Sequence, residues 1–131
     1  MSDSTGSTSE LPDSLSRLYD DPNAVVDGLR ERAGDPETAE RVVCVYKALS
    51  NVQRIRLLLA LRDGECCVCE LQTALNAPQS TVATHLRCLT DSGLVRTRND
   101  GRWTYYSVAD RAVFDLIEHA VDIEGRLEAT E

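Results

Sequence analysis

Three cysteines fall within four positions in Glu65-Cys66-Cys67-Val68-Cys69-Glu70-Leu71, the densest group of reactive side chains in the chain. Thiolates are soft, electron-rich donors, so such a group suits a thiophilic ion or reversible cysteine oxidation. The competing structural reading is three small apolar side chains at a helix start. On a regular helix Cys66 and Cys69 lie on neighbouring faces, while Cys67 and Cys69 are separated by about two steps of roughly 100°. Either the helix distorts or another residue completes the site. Cys44 is the reserve donor, reaching the group from its own helix in the same subunit or across a dimer. Cys88 stands among Leu86 and Leu89 and reads as packing.

A weaker alternative lies near the C-terminus, where Asp115, His119 and Asp122 are spaced to share one side of a helix. Surface ion pairing explains the same spacing. No catalytic constellation accompanies these groups: the two histidines are far apart in sequence, there is no phosphate-binding glycine loop, and the scattered Ser, His and Asp residues define no triad. The chain is not expected to be an enzyme.

The 131 residues carry 14 Lys+Arg against 22 Asp+Glu, a formal charge of -8 that argues against nucleic acid if taken whole. Its distribution reverses the argument. Residues 1–40 hold ten acids and three bases, residues 41–109 five acids and nine bases, and residues 110–131 seven acids and two bases, giving -7, +4 and -5. Arg96, Arg98 and Arg102 cluster within the basic middle. Five cysteines cannot pair completely within one chain, and no apolar run approaches the roughly 18 residues of a membrane span. The expectation is a reduced, cytoplasmic protein with no membrane partner.

The elements that must position these residues follow from hydrophobic period and punctuation. Residues 1–20 read as a disordered acidic tail and 21–36 as an accessory helix and linker, with a helix from Pro22 or Asn23 to Ala33. The domain proper spans 37–128. A helix from Pro36 or Glu37 to Leu49 is followed by one over 51–62, capped by Ser50 and ended by Asp63-Gly64. Residues 66–75 read as a third helix. After Asn76-Ala77-Pro78, with Pro78 in the first turn, comes a fourth helix carrying Val82, Leu86 and Leu89. Leu94–Arg98 and Trp103–Val108 alternate as strands about an Asp100-Gly101 turn, and 110–128 forms one long amphipathic helix. Its apolar stripe exceeds what a small core covers, which points to a second subunit. The class is α/β, mainly α: a winged helix-turn-helix with a β-hairpin wing and a C-terminal dimerisation helix.

In that fold the fourth helix is the reading element. Gln79 and Thr81 suit base edges, Ser80 and Thr84 offer further hydrogen bonds, and Arg87, Arg96 and Arg98 suit phosphate, with Arg102 placed to enter a minor groove. His85 reads as a packed histidine, and Trp103, Tyr105 and Tyr106 as strand packing.

The cysteine segment, together with Leu49-Ser50-Asn51-Val52-Gln53-Arg54-Ile55-Arg56-Leu57-Leu58, Thr84-His85-Leu86, Ser92-Gly93-Leu94-Val95 and Gly101-Arg102-Trp103-Thr104-Tyr105-Tyr106, resembles the arsenic- and metal-sensing repressors of the ArsR/SmtB family over roughly residues 37–125. The resemblance implies a homodimer bound to double-stranded operator DNA and released by an inducer. It implies Cys67 and Cys69 as the sensing pair, with Cys66 the first choice for a third thiolate. As(III) or Sb(III), which take three sulfurs, are the expected inducers; Cd(II) or Zn(II) would require about four donors. Two departures stand out. Where the closest arsenic sensors have a third cysteine this chain has Gln72, and Ala83-Thr84 replaces a common serine-arginine pair. The alternatives are a redox-responsive regulator and a winged helix that binds metal or protein without DNA.

Overall fold

A computed structural model of the protein describes residues 11–129. In chain order the elements are α1 (Asp13–Leu18), α2 (Pro22–Ala33), α3 (Pro36–Leu49), α4 (Val52–Ala60), β1 (Cys66–Cys67), α5 (Val68–Leu75), α6 (Gln79–Asp91), β2 (Val95–Asp100), β3 (Trp103–Val108) and α7 (Ala112–Ala129). Two compact units result, one ending at Arg41 and one beginning at Val42, within α3. Among the described residues no helix is long and apolar enough to cross a membrane.

In the first unit, α2 starts as expected. Asp21 accepts a hydrogen bond from the Ala24 amide at 3.2 Å, and Pro22 occupies the first turn, where its missing N–H costs nothing. The expected disordered tail is corrected over Asp13–Leu18, which form α1; residues 1–10 lie outside the described residues.

The second unit holds the core. Leu57 and Leu58 of α4, Leu71 of α5, and Val82, Leu86 and Leu89 of α6 are fully buried, each stabilising the fold by roughly 1.5–3 kcal/mol. Val95, Val113 and Phe114 close the same cluster. The cap of α4 is Asn51, not Ser50: its side-chain oxygen accepts from the amides of Gln53 at 2.9 Å and Arg54 at 3.2 Å, satisfying two otherwise unpaired donors. Asn76 ends α5 in the left-handed conformation, and Pro78 sits at the N-cap of α6, one place before the first turn.

The sheet has the order β1-β3-β2, antiparallel throughout. Asp100 pairs with Trp103, leaving Gly101-Arg102 as a two-residue hairpin loop. Gly101 has φ +63°, a conformation a side chain disfavours. The expected third helix is shorter at its start than the sequence pattern implied. Cys66 and Cys67 pair with Tyr106 and Tyr105 as a short strand, and the helix begins only at Val68.

Candidate thiol site and nucleic-acid interface

The strand character of β1 separates the three clustered cysteines, because neighbouring strand residues face opposite ways. Cys66 packs against the hydrophobic core, with its sulfur 3.9 Å from the Gly64 carbonyl oxygen. Burial, followed by the neighbouring charges of Glu70, Cys67 and Glu65, pushes its thiol above the usual 9.0. Cys67 is the N-cap of α5 and Cys69 its second residue, and the Glu70 carboxylate accepts from the Cys67 amide at 2.9 Å. Both sulfur-bearing residues line a cleft of about 410 Å³ shared with Gln72, Gln79, Arg102, Trp103, Thr104 and Tyr106. With Glu70, Trp103 and Tyr105 they also line a smaller one of about 250 Å³. Cys66 lines neither.

The other candidate donors lie elsewhere. Cys44 lines a cleft with Cys88, separate from those of Cys67 and Cys69. Asp115, His119 and Asp122 are exposed on α7. Among the described residues no three His, Cys, Asp or Glu side chains are placed to hold one metal ion. The chain thus presents a sulfur pair, and Gln72 borders the same cleft with an amide.

Helix α6, the reading element expected from the sequence, adjoins this pair. Buried Val82, Leu86 and Leu89 hold one face of α6 on the core, which leaves Gln79, Ser80, Thr81, Thr84 and Arg87 exposed on the others. The Thr84 hydroxyl donates to the Ser80 carbonyl at 2.9 Å, so its proton is committed within the helix. Gln79 at the start of α6 and Arg102 at the wing tip both border the Cys67/Cys69 cleft.

The basic side chains divide into those held internally and those presented outward. Arg98 forms a two-pronged pair with Glu65, at 3.1 and 2.5 Å, and lies 4.9 Å over the Tyr105 ring. That hydrogen bond holds the Glu65 carboxyl below its usual 4.5 and raises Arg98. Arg98 therefore braces the wing to the residue preceding Cys66. Arg62 pairs with Glu118 at 3.2 Å and lies over Phe114. Arg54 donates to the carbonyls of Ala48 at 2.6 Å and Lys47 at 3.1 Å, and approaches Nδ1 of His85 at 3.4 Å. A guanidinium only donates, so Nδ1 is the acceptor there. Arg87, Arg96 and Arg102 are exposed and make no ion pair among the described residues.

Sequence reasoning missed the role of Arg54. Its signal was position: Arg54 stands three and four residues before buried Leu57 and Leu58, on the inward side of α4. His85 is half-buried, with Nδ1 facing the Arg54 guanidinium.

Residues 51–97 match the family model described as bacterial regulatory protein, arsR family. The chain is 37% identical over 86 residues to a transcriptional repressor SmtB homolog of Synechocystis, covering 66% of this chain and 65% of that protein, just under two thirds of its length. It is 33% identical over 73 residues to an arsenical resistance operon repressor of Bacillus subtilis, covering 55% and 70%. Among solved structures, a homodimeric winged helix-turn-helix DNA-binding domain from Mycobacterium bovis, described as a possible ArsR-family regulator, superposes with a TM-score of 0.61 at 32% identity, covering 68% and 87%. On the family match and on relatives at 32–33% identity covered over 70% and 87% of their length, the chain belongs to the ArsR family of bacterial regulatory proteins.

Proposed function

We propose that the protein is a homodimeric, operator-binding transcriptional repressor of the cytoplasm that leaves DNA when As(III) or Sb(III) is held by Cys67 and Cys69. The observation that carries this reading is the shared cleft: the sulfur pair borders both Gln79 at the head of the reading helix and Arg102 at the wing tip. A thiolate-bound ion there alters the spacing between two DNA-contacting elements.

The reading assigns α6 to the major groove, with Gln79 and Thr81 at base edges, Ser80 and Thr84 positioning, and Arg87, Arg96 and Arg102 at phosphates or the minor groove. Arg98 acts through its brace to Glu65 instead of through phosphate. A third sulfur from Cys66 requires β1 to release its pairing with Tyr106 and Tyr105, which transmits the change to the wing through β3. Cd(II) or Zn(II), which call for about four donors, fit the pair less well. Dimerisation is assigned to the groove of about 500 Å³ lined by Tyr46, Leu49, Ile55, Leu116, Ala120 and Val121, apolar side chains of α3, α4 and α7. Exposed Tyr46 and Val121 gain burial there against a second copy.

The test titrates the reduced protein onto its own upstream DNA at several salt concentrations, with and without arsenite, antimonite, Cd(II), Zn(II) and an oxidant. Arsenite or antimonite should release the DNA, and Cys67→Ser/Cys69→Ser should bind DNA but not release it. Equal affinity for a scrambled duplex would sink the repressor assignment. Arsenite release that survives the double substitution would overturn the site, and release by the oxidant alone would transfer the role to cysteine redox chemistry. Release by Zn(II) alone would transfer it to Asp115, His119 and Asp122.

A further inference from the structure

A row of side chains on one face of the sheet leads from the thiol pair to the wing. Cys67 of β1 is paired with Tyr105 of β3, and Tyr105 with Arg98 of β2, so the three cross all three strands in register. Directly paired residues share a face, and neighbours along a strand face oppositely. The next row, Cys66, Tyr106 and Thr97, therefore lies on the other face, where Cys66 and Tyr106 pack against the core. In the first row the Arg98 guanidinium lies 4.9 Å from the centre of the Tyr105 ring. It also reaches past β3 to Glu65, two residues before Cys67, donating to both carboxylate oxygens at 3.1 and 2.5 Å. Tyr105 itself borders the small cleft of Cys67, Cys69 and Glu70.

The strands are unequally joined. β2 and β3 share six residue pairs, β1 and β3 only two. So short a ladder yields locally at small cost, and by itself it lets β1 shift on β3 while the wing stays in place. The Glu65–Arg98 bonds tie the segment that carries the thiols to the far strand and close over the Tyr105 ring between them. Arsenite held by two thiols brings no net charge: As(OH)₃ plus two RSH give (RS)₂AsOH plus two waters, with no change of oxidation state. Its effect on DNA is then carried by displacement and not by repulsion of phosphate. We infer that Glu65, Arg98 and Tyr105 are positioning residues that couple the Cys67/Cys69 site to the wing, so that occupancy of the thiols moves β2 and β3 together and lowers DNA affinity. The inference rests on the sensing role proposed for Cys67 and Cys69. Arg98 and Glu65 are partly exposed, and a two-pronged ion pair with the cation over a ring shifts an equilibrium about five- to tenfold in that setting. Asp100 stands 3.8 Å from Arg98 as a second, longer partner, so Glu65→Gln cuts the tie to β1 without leaving the cation unpaired.

The experiment measures the affinity of the reduced full chain for its upstream DNA with and without saturating arsenite, in wild type, Glu65→Gln, Arg98→Gln and the double variant. Trp103, the only tryptophan, lines both Cys67/Cys69 clefts, and its fluorescence reports arsenite affinity of the free protein separately. Each variant should bind DNA alone and arsenite alone within about twofold of wild type, as exposed substitutions do. The ratio of the two DNA affinities, which measures the coupling, should fall about five- to tenfold. The double variant should lose no more than either single one, because both remove the same interaction. Tyr105→Phe keeps the ring and should keep the wild-type ratio. An undiminished ratio in Glu65→Gln and Arg98→Gln, additive losses in the double variant, or a loss of arsenite affinity large enough to explain the lost release would each overturn the coupling. If the variants fail to fold, wild type decides: salt screens an exposed pair, so the ratio must shrink as salt rises, and a salt-independent ratio refutes the tie. Absence of any arsenite release in wild type refutes the sensor reading itself, whereas release that persists undiminished in the folded variants refutes the coupling alone.

Discussion

Arg54→Met separates a structural cation from a DNA-binding one. The substitution keeps a long apolar stem and removes every donor. The contact at risk is the 2.6 Å bond to the Ala48 carbonyl, since Ala48 is 3% exposed and its oxygen lies at the end of α3, where helical partners run out. Lys47 loses less, because its carbonyl also accepts from the Ser50 amide at 3.1 Å, and the His85 contact at 3.4 Å is long. A hydrogen bond from a charged donor contributes about 1.5–3 kcal/mol, and partial exposure of Arg54 places the total near 2–3 kcal/mol. For a domain of this size that is a fall in Tm of about 10–20 °C, measured by thermal and urea unfolding. The salt dependence of DNA binding, measured on the folded variant, should keep its slope. The reverse pattern, stability within about 0.5 kcal/mol of wild type and a slope smaller by about 0.9, would show that Arg54 contacts phosphate and that its helix-capping role is misassigned.

Arg102→Gln should lower the salt slope by about 0.9 while leaving stability unchanged, whereas Arg98→Gln should leave the slope intact because its charge is held by Glu65; equal effects would refute the division of the wing arginines. Asn51→Ala should cost about 1 kcal/mol in urea unfolding through loss of the two capping bonds, and a neutral result would remove the cap from the account. Arsenite should change Trp103 fluorescence in the wild type and not in Cys67→Ser/Cys69→Ser; an unchanged response in the variant would place the ion elsewhere. Val121→Asp should shift the protein toward monomer in sedimentation, and an undisturbed dimer would move the interface off the α7 groove.

Local signals made much of the fold legible. Val82, Leu86 and Leu89 recur at helical spacing because one face of the helix must be buried, whereas on α4 the run of leucines leaves the inward face ambiguous and burial falls on Leu57 and Leu58 with Leu59 exposed. Asp100-Gly101 marked the hairpin because the loop requires a positive φ at Gly101. The short strand β1 escaped notice for an equally physical reason. Two residues show no period, and Cys66-Cys67 are extended because β3 supplies a pairing edge some forty residues later in the chain. Asn51 and Ser50 are both good caps, and only the backbone path decides between them. Likewise Asp13–Leu18 reads as polar tail by composition, yet Asp13 in the first turn and Arg17 in the last complement the dipole of a short helix.

The sequence by itself determined the order of the longer elements, from the helix at Pro22 onward and apart from β1, the basic middle between acidic ends, and the presence of a cysteine group beside a helix-turn-helix. These are properties of composition and near-neighbour spacing, which the chain carries before it folds. Tertiary structure decided which groups act together. Alternation in β1 turns Cys66 to the core and leaves Cys67 with Cys69, and Glu118, Glu65 and the end of α3 engage Arg62, Arg98 and Arg54. Charge and sulfur can be counted along a chain, but their availability depends on partners brought close only by folding, and that selection leaves Arg87, Arg96 and Arg102 facing outward.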